Sequence, residues 1–387
     1  MDREYKLNML FNAFAEELNI TDTMLEKAET AYGALGDYLR EANSEWDLVM
    51  YPQGSFALGT VVKPIQEEGQ YDVDLVVLVK SPSMTASNLR VAIRKLLENH
   101  GRYEKKIEDK KPCIRIQYAD YSQFHMDIAC AKPELGKAPC IEIARYNDDS
   151  MYYYDPSNPE GYIEWFKRVM NYERAYEQQK RLYASTDVKT LRLPTIRTPL
   201  QKAIQILKRH RDIYYSERSD EFKPDSVIIT TLCGLTYDST QQYAMDSSDV
   251  YSAIVNMLRG FARFIGRNAN GEYFLSNPSY TQENFLKKWN EDERYAEHFL
   301  RWVECAQRDI IDDPSYFIED SPARLNSSLE KAFGKGLSDV SLHRYGLAFG
   351  QLAKEERLKY DPRQQAVTTK PSDQDYRPHT YFGGEEI

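Results

Sequence analysis

Residues 71–79 read YDVDLVVLV, and residues 54–62, just upstream, read GSFALGTVV. The first stretch is apolar and rich in β-branched residues, which predicts a buried strand. Asp72 and Asp74 sit two apart in it, so both side chains point to one face. Two carboxylates on one face of a buried strand repel each other strongly unless cations lie between them. Hard divalent ions such as Mg²⁺ take carboxylate and phosphate oxygens as ligands, so the pair reads as a metal clamp. Asp127 lies on a later apolar strand, HMDIACA (125–131), with Met126 and Ile128 turned away from it toward a core. An acid in that setting is costly unless it is paired or bound to metal. Three acids on adjacent strands suit a two-metal site, in which one ion lowers the pKa of an attacking hydroxyl and the other steadies a leaving pyrophosphate. Gly54 lets backbone N–H groups approach a phosphate closely, and Ser55 adds a hydroxyl donor. Triphosphate and metal are therefore expected side by side. A DxD on a strand is commonly two solvent-facing carboxylates; Gly54-Ser55 upstream and Asp127 downstream set this one apart.

Outward from this block, apolar periodicity predicts helices over 3–19, 22–42 and 88–99. Strands are expected over 46–51, 113–118, 124–131 and 140–144, with 113–118 and 124–131 forming a hairpin around 119–122. Residues 152–159 (YYYDPSNP) read as a turn-rich link. Helical patterns then dominate, over 161–182, 198–215, 224–237, 247–265, 281–289, 291–308 and 322–334. The fold class is thus α/β (α+β): a mixed sheet first and a mostly helical lobe second. The expected division is 1–195 for the catalytic lobe with its N-terminal helices, 196–350 for the helical lobe, and 351–387 for a Pro- and Gly-bearing flexible tail.

The 387 residues suffice for two lobes with a sizeable core. A mean hydropathy of -0.65 and the lack of a long apolar run argue against a membrane protein. The charged start MDREYKLNML gives no secretory signal, so a cytoplasmic location is expected. The five cysteines form no CxxC pair and do not flank the histidines at zinc-ligand spacing, so reduced thiols are expected and no structural zinc. The net charge of -10 disfavours a long nucleic acid held by its phosphates and favours small nucleotides.

A GS pair, a DxD on the next core strand and a single Asp on a later strand resemble the polymerase-β-like nucleotidyltransferase superfamily. More closely, the chain resembles the bacterial cGAS/DncV-like nucleotidyltransferases (CD-NTases) of antiphage signalling. GSFALGTVV, YDVDLVVLV, HMDIA (125–129), PLQKAIQILKRHRD (199–212), KPDSVIITTLCGL (223–235) and NPSYTQENFLKKW (277–289) carry the likeness. The resemblance implies a two-lobed nucleotidyltransferase core with a helical lobe like that of oligoadenylate synthases. It implies that Asp72 and Asp74 bind two Mg²⁺ ions, for which Mn²⁺ can substitute. Asp127 would bind one of them and help activate the acceptor hydroxyl. Ser55 would meet the donor's terminal phosphates, Lys208 and Ser226 would hold the triphosphate, and Gln53 and Gly54 would border the nucleotide. The implied reaction makes a cyclic di- or trinucleotide second messenger from ATP and other nucleoside triphosphates, and the helical motifs suggest an adenine-rich trinucleotide. A HORMA-type regulatory partner is implied for some relatives. The zinc insert of the animal enzyme is missing, so activation by double-stranded DNA is not expected. The chain ends GGEEI rather than at the glycine pair, which counts against conjugation through its terminus. The alternatives are a linear product, transfer to RNA or protein, and a silent nucleotide-binding module.

The remaining candidates have plainer readings beside the functional ones. His125 shares a face with Asp127 and is expected to make a structural hydrogen bond. The run Lys208-Arg209-His210-Arg211 is most simply a solvated helix face, Lys208 excepted. Arg197 and Lys202 are weaker phosphate candidates. Lys105, Lys106, Lys110 and Lys111 fit a polar hairpin, and Tyr152–Tyr154 fit packing better than base stacking.

Overall fold

A computed structural model describes residues 3–42, 46–66, 69–80, 83–118, 124–170, 197–242, 249–313, 322–355, 359–361, 366–368 and 374–375. Two helices lead, α1 (Arg3–Glu17) and α2 (Asp22–Ala42). Next come β1 (Leu48–Pro52), the short helix α3 (Gly54–Leu58), β2 (Tyr71–Val79) and α4 (Ala86–Glu98). The Thr85 side chain caps α4, which starts it two residues earlier than its apolar pattern suggests. The strands β3 (Ile107–Lys110), β4 (Cys113–Tyr118), β5 (Phe124–Pro133), β6 (Ile141–Tyr146) and β7 (Tyr152–Ser157) follow.

They build one seven-stranded mixed sheet with the order β1-β2-β5-β4-β3. The β2–β5 pair is parallel, whereas β1–β2, β4–β5 and β3–β4 are antiparallel. β5 forks: its first half pairs with β4 and its last residues pair with β6. Before the fork β5 lies between β2 and β4, so both flank Asp127. The alternation of β2 buries Val73, Leu75, Val77 and Val79 in a core shared with α2 and α4, and turns Asp72 and Asp74 to the other face. Met126 and Ile128 join that core, as the sequence pattern predicts.

β7 corrects the reading of 152–159 as a link: it pairs with β6 along its length. Its tyrosines favour a sheet, and as an edge strand it tolerates Pro156, which cannot donate to a ladder. The stretch 281–289 is not a helix but a strand, Tyr280–Asn284, and a short helix, Lys287–Glu291. Asn284 and Asn290 side chains accept from the backbone N–H groups of Leu275 and Tyr273, which favours the turn over the helix.

The helical lobe contains Pro199–Ser216, Ser226–Gln242, Val250–Gly260, Arg294–Gln307, Pro322–Phe333 and Lys335–Lys354. The last of these was not anticipated from the pattern. Packing crosses the expected chain division: Phe11, Phe14 and Leu18 of the N-terminal region and Trp165 and Phe166 of helix α5 (Pro159–Val169) lie in the helical lobe's core. Short strands at Lys359–Asp361, Ala366–Thr368 and Gln374–Asp375 pair within the expected tail. The rest of that tail, the turn at 119–122 and the stretch 171–196 lie outside the described residues. No described helix is long and apolar enough to cross a membrane.

Helix Pro199–Ser216 positions one lobe against the other. Thr198 and Gln201 form a capping box at its start, with Pro199 in the first turn. Its polar side chains then reach backbone carbonyls between residues 58 and 64. Gln201 Nε2 donates to Leu58 O (2.9 Å), Gln205 Nε2 to Val61 O (2.6 Å), Lys208 Nζ to Thr60 O (3.1 Å) and Arg209 Nη2 to Lys63 O (2.5 Å). The loop leaving the glycine–serine segment thus has its carbonyls satisfied by the other lobe.

Candidate active site

β2 and β5 run parallel in a register that sets Asp72 opposite His125 and Asp74 opposite Asp127. The carboxylates therefore share one sheet face. Gly54 closes the site from the side of β1. Its backbone lies at φ +59°, and a Cβ built there would stand 2.3 Å from Asp74 Oδ2. Only glycine meets both demands. The Gln53 N–H donates to Asp74 O (2.9 Å), which fixes the segment to β2, and Ser55 follows in the first turn of α3.

Arg115 was missed by the sequence reading. It lies on β4 in register with Asp127. Its Nε donates to Asp127 Oδ1 (2.6 Å) and its Nη2 to Asp127 Oδ2 (2.6 Å), a two-point clamp. The same Nη2 reaches Asp72 Oδ1 at 3.2 Å. A signal was present: CIRIQY alternates buried isoleucines with Arg115 and Gln117, on a strand expected to pair with that of Asp127. His125 Nε2 faces Asp72 Oδ1, and its Nδ1 lies 3.3 Å from Gln70 Oε1.

Charge is unbalanced here. Burial, then the charges of Asp72 and Asp127, push the Asp74 carboxyl up to about 7, against the pull of Lys208 and Arg115. Burial also opposes ionisation of Asp72, but the hydrogen bond from His125 and the charges of His125, Arg115 and Lys208 prevail and hold it below the usual range. Ligand atoms of Asp72, His125 and Asp127 lie within 4.8 Å of one another. Clustered carboxylates that repel one another, with one driven toward protonation, fit divalent cations and hard oxygen coordination.

Lys208 is buried behind Thr60, close enough for the charges of Asp72 and Asp74 to act on it. Burial and the neighbouring Arg211 still bring its pKa down to about 8. Ser226 begins its helix as expected, and its Oγ accepts from Arg211 Nη1 (2.9 Å), one helical turn beyond Lys208. The solvated-face reading of the basic run is corrected: Lys208, Arg209, His210 and Arg211 are only 5%, 4%, 1% and 7% exposed. Lys202 turns to Asn12 and Glu16 of α1 instead of a phosphate, and Arg197 donates to Gly59 O.

A second cluster, His210, Cys305 and Asp309, also has metal-ligating types in range. Trp302 Nε1 donates to His210 Nδ1 (3.1 Å), which places the imidazole proton on Nε2, facing Asp309 Oδ2 at 3.3 Å. A metal on Nε2 would need the proton on Nδ1, against the indole N–H. The cluster is a hydrogen-bond network within the helical core.

A mixed sheet with a DxD strand, a third aspartate in register and a glycine–serine turn against it defines a nucleotidyltransferase. Residues 49–130 match the family model "Cyclic GMP-AMP synthase DncV-like, nucleotidyltransferase domain". These residues form a nucleotidyltransferase domain similar to that of the DncV-like enzymes, the CD-NTases, and the fold is polymerase-β-like. The chain is 26% identical over 302 residues to a c-di-GMP synthase of Roseivirga ehrenbergii, covering 75% of this chain and 74% of that one. Its fold is similar to that of CdnG of Bradyrhizobium diazoefficiens in complex with GTP, with a TM-score of 0.68, 20% identity, and 88% and 99% of the two chains covered. It is also similar to CdnC of Escherichia coli in a complex with a HORMA protein, with a TM-score of 0.59, 13% identity, and 84% and 96% covered.

Proposed function

We propose that the protein joins two nucleoside triphosphates, GTP among them, into a cyclic dinucleotide that serves as a signal in antiphage defence. The observation that carries the reading is the register of β2 and β5, which gathers Asp72, Asp74 and Asp127 beside Gly54-Ser55. Divalent cations, Mg²⁺ or Mn²⁺, held by the three aspartates would lower the pKa of the attacking hydroxyl and neutralise the leaving pyrophosphate.

The chain's own residues do the rest. Asp127 accepts the proton of the acceptor hydroxyl as its oxygen bonds to the α-phosphorus of the donor, and the bond to pyrophosphate breaks. The Gly54-Ser55 turn offers donors to the terminal phosphates. Lys208, behind Thr60, adds positive charge toward the same place, and Ser226 with Arg211 extends it. A second transfer closes the ring. Catalysis of this kind is positioning and charge neutralisation.

The similarity to a c-di-GMP synthase favours a guanine-containing dinucleotide over the adenine-rich trinucleotide suggested by the helical motifs. ATP stays as the second candidate substrate. A HORMA-type regulator is carried over from the complex of the E. coli CdnC as a candidate partner. Purified protein incubated with all four NTPs, Mg²⁺ and Mn²⁺, then treated with phosphatase, should leave a resistant cyclic species by mass spectrometry. A variant carrying Asp72→Asn and Asp74→Asn should leave none. A product ending in a free hydroxyl would replace the cyclic reading with the linear one.

A further inference from the structure

Arg115 stands between two carboxylates of the same sheet. On one side β5 presents Asp127 in register with it, and on the other β3 presents Glu108 in register with it. Residues directly opposite on antiparallel strands share a face. The guanidinium engages Asp127 by both arms and touches Asp72. It and Asp127 are mostly buried, with 18% and 14% of their side chains exposed. Glu108 is more open at 49%, and is held by Gln117 Nε2 (3.0 Å) and by Lys110. Its carboxyl already feels the Arg115 charge.

The arrangement has a cost for cation binding. Both Asp127 oxygens are occupied by N–H donors, and one Asp72 oxygen is shared with them. A cation that enters between Asp72 and Asp127 competes with charge-assisted hydrogen bonds already formed to the same oxygens. Two cations that seek the same carboxylates are negatively coupled, and the coupling is reciprocal.

We propose that Arg115 is a positioning residue that occupies the place of the cation, clamping Asp127 until a divalent ion displaces it, and that its released guanidinium is received by Glu108. The proposal rests on the reading of Asp72, Asp74 and Asp127 as the metal site. It gives the site a default state in which one guanidinium of the protein offsets part of the carboxylate charge.

The test is titration of the full-length protein with Mn²⁺ alone, following free Mn²⁺ by electron paramagnetic resonance. Arg115→Gln should bind Mn²⁺ about tenfold more tightly than the wild type, within the usual range of coupling between sites. Arg115→Lys, which keeps the charge but loses the two-point fork, should fall between them. Glu108→Gln should bind roughly threefold more weakly, because the displaced arm loses its receiver. A residue with only a structural role would not move Mn²⁺ affinity in opposite directions. Equal or weaker binding by Arg115→Gln, with native circular dichroism, overturns the proposal; if that variant does not fold, Arg115→Lys decides in the same way. Unchanged binding by Glu108→Gln overturns the part assigned to Glu108. Asp127→Asn separates the underlying reading: Mn²⁺ affinity equal to that of the wild type there removes the metal site itself.

Discussion

Along helix Pro199–Ser216, Lys208, Arg209, His210 and Arg211 are buried in sequence, and each meets an oxygen of the protein: Thr60 O, Lys63 O, Asp309 Oδ2, and Asp212 Oδ1 with Pro224 O. Across β2 and β5, Asp72, Asp74 and Asp127 have Arg115 and His125 for hydrogen-bonding cationic or imidazole partners among the described residues. Both regions crowd ionisable groups together, the first in the interior and the second around Asp74, with Asp72 open to solvent. The first gives each side chain an oxygen acceptor from the protein. The second leaves negative charge in excess, with Asp74 pushed toward protonation. Buried cations whose hydrogen bonds end on the protein's own oxygens hold the lobes together, whereas carboxylates that repel one another await a cation.

If this contrast holds, removing acid from the sheet should destroy function and spare the fold. The Asp72→Asn, Asp74→Asn variant should lose at least ~10³-fold in product formation, since charge stabilisation of the transition state goes with it. Its circular dichroism and its urea midpoint should match or exceed those of the wild type. A large fall in stability would show that these carboxylates hold the sheet together, and the contrast would collapse.

Gly54→Ala sharpens the same point by geometry. The new Cβ meets Asp74 Oδ2 at 2.3 Å, and the left-handed backbone at φ +59° is strained for alanine. Asp74 or α3 must shift, and a misplacement of this size costs roughly 100-fold in rate. Steady-state kinetics should show the loss in kcat with Mg²⁺ saturating. A variant with wild-type kcat would place the catalytic geometry elsewhere.

Much of the sheet face was legible because its code is local. Two-residue alternation places Asp72 and Asp74 together in YDVDLVVLV, and Met126 and Ile128 opposite Asp127 in HMDIACA. What escaped depends on pairing. Arg115 matters because the hairpin of β4 and β5 sets it opposite Asp127, and the alternation of CIRIQY marks its face without naming the residue it meets. The burial of Lys208-Arg209-His210-Arg211 was hidden for a related reason. A basic run reads as solvated until the carbonyls of residues 58–64 are seen to meet it. Helix 281–289 failed because Asn284 and Asn290 spend their side chains on the backbone, which competes with helical bonding.

Asp74 provides a titration test of the imbalance. Its pKa rises from 3.8 to about 7 in the fold, so the folded state favours the protonated form. That contribution is present below pH 3.8 and is lost as pH rises through about 7. Asp74→Asn fixes the neutral form. Without divalent ions it should unfold at higher urea than the wild type above pH 7, by roughly 2 kcal/mol, and converge with it near pH 4. Added Mn²⁺ should narrow the gap by stabilising the wild type alone. A constant difference across pH would mean that Asp74 is not repelled by its neighbours.

Asp309 is the matching test on the helix side, with the opposite sign and a smaller effect. Burial alone would raise its pKa, but hydrogen bonds from His210 and Cys305 and the charges of His210 and Arg308 bring it from 3.8 to about 2. Its contribution is therefore present above pH 3.8 and is lost as pH falls through about 2. An asparagine at this position keeps an oxygen acceptor for the His210 Nε2 proton and gives up the charge. Asp309→Asn should lose about 1 kcal/mol at pH 7, discounted for partial exposure, and nothing near pH 2. Nucleotidyl transfer should be unchanged apart from the stability loss, because the network lies within the helical core and not on the sheet face. A selective loss of activity, with the fold intact, would mean that the paired region is not merely structural.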